Sequence, residues 1–136
     1  MDNYNYIFSL DNVETFPGYV ASDEAIAKAE VNLSLSFSSE YKTVLKNGIG
    51  LIGSHELTGI VPERRLNVVQ STLDEWERNQ LIPRDLYLIE RVGIDGILIW
   101  QSEDGSVFLS APQQDARKVA DSLVSYYCEE EENEGE

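Results

Sequence analysis

Leu86-Tyr87-Leu88-Ile89-Glu90-Arg91-Val92, Gly93-Ile94-Asp95-Gly96, Ile97-Leu98-Ile99-Trp100 and Asp104-Gly105-Ser106-Val107-Phe108-Leu109-Ser110 are the segments whose pattern decides the fold class. Apolar runs rich in β-branched and aromatic residues alternate with glycine-bearing turns, which is the signature of strands. Asp and Gly both tolerate positive φ, so Asp104-Gly105 closes a hairpin. Gly93 and the Asp95-Gly96 pair turn the chain one strand earlier. Hairpin-connected strands are antiparallel neighbours. The expectation is strands over residues 86–92, 97–100 and 107–110, with Pro112 ending the sheet.

Upstream of this meander the apolar spacing changes to that of helices. Leu66, Val69, Leu73 and Trp76 recur at steps of three and four, predicting a helix to about Asn79. A short strand is expected over residues 55–60, with Pro62-Glu63-Arg64-Arg65 as a polar loop after it. Tyr41, Val44 and Leu45 make one face of an earlier helix. Phe37-Ser38 introduces that helix, and Asn47-Gly48 ends it with Gly48 free to take a left-handed cap. Ser22 is an N-cap for a first helix over residues 23–32, where Asp23 and Glu24 suit the positive end of the dipole. Residues 1–21 read as irregular around a turn at Pro17-Gly18.

Downstream, Ala116, Val119, Ala120, Leu123, Val124 and Tyr127 fall at helical intervals and predict a last helix. Residues 129–136 hold six glutamates and no apolar face, so a disordered acidic tail is expected. The whole reads as one α+β domain over residues 1–128, a mainly antiparallel sheet packed with about four helices.

The net charge is −15, and the body keeps −9 when the tail is set aside. Such a chain repels nucleic-acid backbones and anionic membranes and associates fastest with a basic partner. Its single cysteine, Cys128, excludes an internal disulfide and a Cys-rich zinc site. No signal-peptide pattern follows Met1, and no apolar stretch approaches the ~20 residues of a membrane span. A soluble, cytoplasmic chain is expected, with no nucleic-acid or membrane partner.

The search for chemistry returns little. Gly48-Ile49-Gly50-Leu51-Ile52-Gly53 has the spacing of a dinucleotide-binding loop, but that mechanism needs a strand before it and a helix after it. Here a helix precedes and a strand follows, so a flexible connecting loop is expected. His55 is the only histidine, and Ser54 beside it sits in no strand-turn-helix elbow. No catalytic residue, cofactor or metal is assigned. Arg64-Arg65 is too short for a nucleic-acid patch. Trp76 belongs to the apolar stripe of its helix. Asp74, Glu75 and Glu77 beside it, with Glu103 and Asp104 at the hairpin tip, are the candidate partner contacts, chosen for expected exposure.

The segments taken together resemble the SUKH superfamily, named partly for a yeast cell-wall assembly regulator. Residues 22–30, Leu35, and Phe37 through Gly48 with its Tyr41-Lys42 pair are similar to the superfamily's opening. Glu56-Leu57-Thr58-Gly59-Ile60, Asn67-Val68-Val69, Ile82-Pro83-Arg84-Asp85-Leu86, Gly93-Ile94-Asp95-Gly96 and Asp104 through Phe108 continue it in order, over about residues 20–127. Ser38 stands where the superfamily usually has proline; serine is itself a good N-cap. The resemblance implies an immunity protein that binds and neutralises a cognate polymorphic toxin, often a nuclease, with no shared catalytic residues. Some relatives are regulators or scaffolds, so a regulatory adaptor without a toxin partner is the alternative.

Overall fold

Residues 87–120 form an antiparallel four-stranded meander in the order β4 (Tyr87–Arg91), β5 (Leu98–Gln101), β6 (Val107–Ser110) and β7 (Arg117–Ala120). The computed structural model describes residue 10 and residues 12–134, with side chains as far as Cys128. Trp100 pairs with Leu88 on one side and Phe108 on the other. The Asp104-Gly105 turn closes β5 onto β6: Gly105 has φ 96°, and the Asp104 carboxylate accepts from the Ser106 amide at 2.9 Å. β4 is buried from Tyr87 to Glu90, and only Arg91 at its end is partly exposed.

The fourth strand corrects the expectation that Pro112 ends the sheet and that residues 116–127 form one helix. Val107 pairs with Ala120 and Leu109 with Arg117, so residues 117–120 are an edge strand. The helix, α4 (Leu123–Glu134), begins only after Ser122, whose Oγ accepts from Ser125 N at 3.0 Å and whose carbonyl accepts from Tyr126 N. Its first amides are claimed by another residue. The buried Glu40 carboxylate accepts from Leu123 N at 2.7 Å and Val124 N at 3.0 Å. α4 runs to Glu134.

Three helices precede the meander: α1 (Asp23–Leu33), α2 (Ser39–Asn47) and α3 (Val68–Arg78). Ser22 and Ser38 cap α1 and α2, accepting from Ala25 N and Tyr41 N. A second antiparallel sheet has three strands, of which only the last was expected, and the strand expected over residues 55–60 is confined to His55–Glu56. The sheet's order is β1 (Val13–Thr15), β2 (Ile49–Ile52), β3 (His55–Glu56), which puts β2 at the centre. The expected flexible loop at residues 48–53 is therefore mostly strand. Gly48, at φ 69°, ends α2. Gly50 lies against the Phe16 ring, where a Cβ would sit 2.8 Å from Cδ2. Gly48 and Gly50 make a close-packed seat for the N-terminal segment rather than a phosphate cradle, while Gly53, at φ 62°, turns the chain from β2 to β3.

The core joins the layers through aromatics and a polar chain. Phe37, Tyr41 and Tyr87 pack with ring centroids 4.8–5.2 Å apart. Burial pushes both phenols well above the ordinary tyrosine range. The Tyr87 hydroxyl donates to Gln101 Oε1 at 3.0 Å, and Gln101 Nε2 donates to Glu40 Oε1 at 2.9 Å. A second buried carboxylate, Glu90 on β4, accepts from the Tyr127 hydroxyl at 2.8 Å and lies 2.9 Å from His55 Nδ1 on β3. Glu40 and Glu90 thus tether α4 to both sheets.

Candidate functional site

α3 forms one wall of a cleft. Asn67 caps the helix, its Oδ1 accepting from Val69 N and Gln70 N. That start fixes Ser71, Thr72, Glu75 and Trp76 on the buried face. Thr72 Oγ1 accepts from Leu88 N at 2.9 Å, and Trp76 Nε1 donates to the Leu86 carbonyl at 3.1 Å, locking α3 onto β4. Trp76 is therefore core, as its place in the stripe implied. Leu73 departs from that stripe and is 40% exposed.

Glu75, only 7% exposed, is the pivot of an ionic cluster. It accepts from Arg78 Nη1 at 3.0 Å and from Arg91 Nη2 at 3.1 Å. Arg91, on β4, also donates to Ser71 Oγ and to the Arg65 carbonyl. Arg65, Arg78 and Arg91 line one cleft of about 610 Å³ between α3, the β4–β5 turn and the end of β6, with Ile97, Leu98 and Pro112 as its apolar wall. Three guanidinium groups and one carboxylate leave this cleft positively charged in a strongly acidic chain.

The five expected contact residues fare differently. Glu75 is buried under two arginines, so the expectation that it is exposed is overturned. Its place on the helix face toward β4 is the reason. Asp74 is partly exposed and held bidentately by Arg64, Nε to Oδ2 at 3.0 Å and Nη2 to Oδ1 at 2.8 Å. These hydrogen bonds hold its carboxyl below the ordinary carboxylate range. Glu77 is exposed and makes no ion pair among the described residues, and the same is true of Glu103. Asp104 is exposed but engaged by the Ser102 hydroxyl and the Ser106 amide, which depress its carboxyl. The α3 group and the hairpin group stand on separate elements, and no hydrogen bond or ion pair joins them.

His55 is held between Glu90 and the Tyr127 ring, 5.1 Å away, an arrangement that braces β3 against β4 and α4. Among the described residues no group of three or more His, Cys, Asp or Glu side chains is placed to hold a metal ion. No helix among them is long and apolar enough to cross a membrane.

The family profile SUKH_5, described as SMI1-KNR4 cell-wall, matches residues 8–131, nearly the whole chain. The chain belongs to the SUKH superfamily. No curated protein matches it. Among solved structures, this SUKH chain is similar to a protein from Pseudomonas syringae pv. tomato, with a TM-score of 0.69 at 19% identity, over 90% of this chain and 92% of that one. That likeness shows the fold: one α+β domain with two antiparallel sheets and four helices. The arginine cleft of this SUKH chain was not anticipated. Only Arg65 carried a signal, set aside because Arg64-Arg65 is too short a run; Arg78 and Arg91 arrive from other elements.

Proposed function

We propose that this SUKH protein is an immunity protein. It binds a cognate protein toxin stoichiometrically in the cytoplasm and neutralises it, without catalysis of its own. The toxin is of nuclease type and presents a basic surface. The observation that carries this reading is unpaired negative charge. Glu24, Glu63, Glu77, Asp85, Asp95 and Glu103 are all exposed and form no ion pair among the described residues. A nuclease must present positive charge to hold phosphates. An inhibitor covering that cleft meets it with negative charge, which steers encounter and disfavours wrong partners. Asp74, Glu77, Glu103 and Asp104 are the proposed contacts; Glu75 is withdrawn because it is buried.

Co-expression with the toxin domain encoded beside it, in a susceptible host, should restore growth and yield a stable complex. Association should slow steeply with salt, because the Debye length shrinks from about 10 Å at 0.1 M to about 3 Å at 1 M. Reversing Glu77 and Glu103 should slow association and flatten that dependence, with dissociation little changed. An association rate indifferent to salt and to both reversals would refute the electrostatic reading. Failure to rescue, together with stable capture of a host protein, would replace the immunity role with that of a regulatory adaptor or scaffold.

A further inference from the structure

The positive cleft sits oddly with an acidic surface read as a dock for a basic partner. Its lining includes three guanidinium groups and one carboxylate, Glu75, which Arg78 and Arg91 already share. Arg65 is exposed and its side chain makes no hydrogen bond or ion pair among the described residues. Arg91 is held rigid, with only 20% of its side chain exposed and donors committed to Glu75, Ser71 and the Arg65 carbonyl. Arg78 is tethered at one nitrogen and otherwise 70% exposed. The cleft therefore holds one free guanidinium and one half-free guanidinium beside a fixed positive charge. Guanidinium forks match carboxylates bidentately.

The other wall narrows the choice of occupant. Ile97, Leu98 and Pro112 are apolar, and Gly93 at the cleft's edge has open space where a Cβ would stand. A main chain can approach there, and an aliphatic side chain has a surface to cover. Ile94, next to Gly93 in the same turn, is 63% exposed. A polyanion such as a nucleic acid is disfavoured, because the charge of −15 repels a phosphate backbone while one cleft supplies few contacts.

We infer that the Arg65–Arg78–Arg91 cleft is a peptide-binding groove. It seats an extended segment of a partner protein that presents one Asp or Glu carboxylate to Arg65 and Arg78 and an adjacent aliphatic side chain to Ile97 and Pro112. This does not depend on the partner being a toxin, since the groove's chemistry is the same for any protein carrying such a segment.

The test uses the full 15N-labelled chain at low salt, with arginine Nε–Hε and backbone amide resonances followed during titration. The probes are acetyl-Leu-Glu-Leu-amide, its glutamine counterpart, and inorganic phosphate. The acidic peptide should give saturable shifts at Arg65, Arg78 and Gly93, with the glutamine peptide and phosphate both weaker. Arg65→Ala should weaken the acidic peptide roughly fivefold, about 1 kcal/mol at 1.4 kcal/mol per tenfold, without lowering the melting temperature, since the Arg65 side chain makes no hydrogen bond or ion pair among the described residues. Arg65→Lys should restore part of the binding. Absence of saturable shifts at millimolar peptide, equal binding of the glutamine peptide, tighter binding of phosphate, or indifference to Arg65→Ala would each overturn the inference. None of these results bears on toxin rescue, so the two readings fail separately.

Discussion

Replacing Glu40 by alanine should destabilise the protein by about 3 kcal/mol through loss of the α4 anchor. Glu40 is 4% exposed and accepts three hydrogen bonds, from Leu123 N, Val124 N and Gln101 Nε2. Gln101 Nε2 keeps a second acceptor, the Gly105 carbonyl at 3.0 Å, so it is not orphaned. The two helix amides are. Each unsatisfied buried donor costs about 1–3 kcal/mol, with Leu123 fully buried and Val124 partly reached by water. Against this stands the desolvation penalty that the carboxylate itself carries, which its removal relieves. The balance is a large part of a typical domain stability of about 5–15 kcal/mol. Urea unfolding followed by fluorescence of the buried Trp100 and Trp76 measures it. A loss under about 1 kcal/mol would show that α4 is held by its apolar face alone and that the carboxylate anchor is incidental.

The same residue sets a pH signature. Burial raises the Glu40 carboxyl above its ordinary range despite its three donors, so the folded state binds that proton at higher pH than the unfolded chain. Its contribution is fullest below the unfolded value of about 4.3 and is lost as pH rises through the folded value. The wild type should therefore gain stability relative to Glu40→Gln as pH falls from neutral, and a difference moving the opposite way would contradict the burial argument. Gly48→Ala should cost more than Gly50→Ala. The first forces a non-glycine residue to φ 69° with its Cβ 2.6 Å from the Phe16 carbonyl, about 2 kcal/mol or more, while the second keeps an ordinary φ and crowds only side chains, the Phe16 ring at 2.8 Å and the Tyr19 ring at 3.2 Å; equal unfolding midpoints would refute this ranking. Truncation after Cys128 should leave the melting temperature within about 4 °C, roughly 1 kcal/mol, because removing six like charges offsets any helix lost. A larger fall in a thermal scan would show that the acidic segment stabilises the domain.

The meander was legible because its turns and strands carry independent signals that agree. Asp104-Gly105 demands a tight turn, and the flanking runs are β-branched and apolar. The failures share a cause. At residues 116–127 a helical period straddles two elements, since Val119 and Ala120 pack from an edge strand, with Ala116 just before it, while Leu123, Val124 and Tyr127 pack from a helix. Burial selects the apolar positions in both cases, and the helix start is marked by the Ser122 cap and the distant Glu40 carboxylate rather than by the apolar period. Residues 48–53 read as a loop because glycine weakens any strand assignment. What makes a strand there is Phe16, more than thirty positions away, whose ring needs the space a Cβ would fill at Gly50.

The site was less legible than the fold because charge was read along the chain while function depends on charge in space. Counting carboxylates near Trp76 joined Asp74, Glu75 and Glu77 into one acidic group. A helix turns them apart: Asp74 to Arg64, Glu77 to solvent and Glu75 inward beneath Arg78 and Arg91. The inward turn reverses the sign of the surface it belongs to. Glu75 is consumed in organising two arginines from different elements, and Arg65 joins them because its own carbonyl accepts from Arg91. An acidic composition is thus compatible with a positive concavity, provided that the few cations converge and the many anions stay dispersed. If the two surfaces serve one partner, that partner must be basic in its wider field yet present one acidic, aliphatic segment. Complementarity of both signs would discriminate against other basic proteins, which the acidic surface alone would attract almost equally.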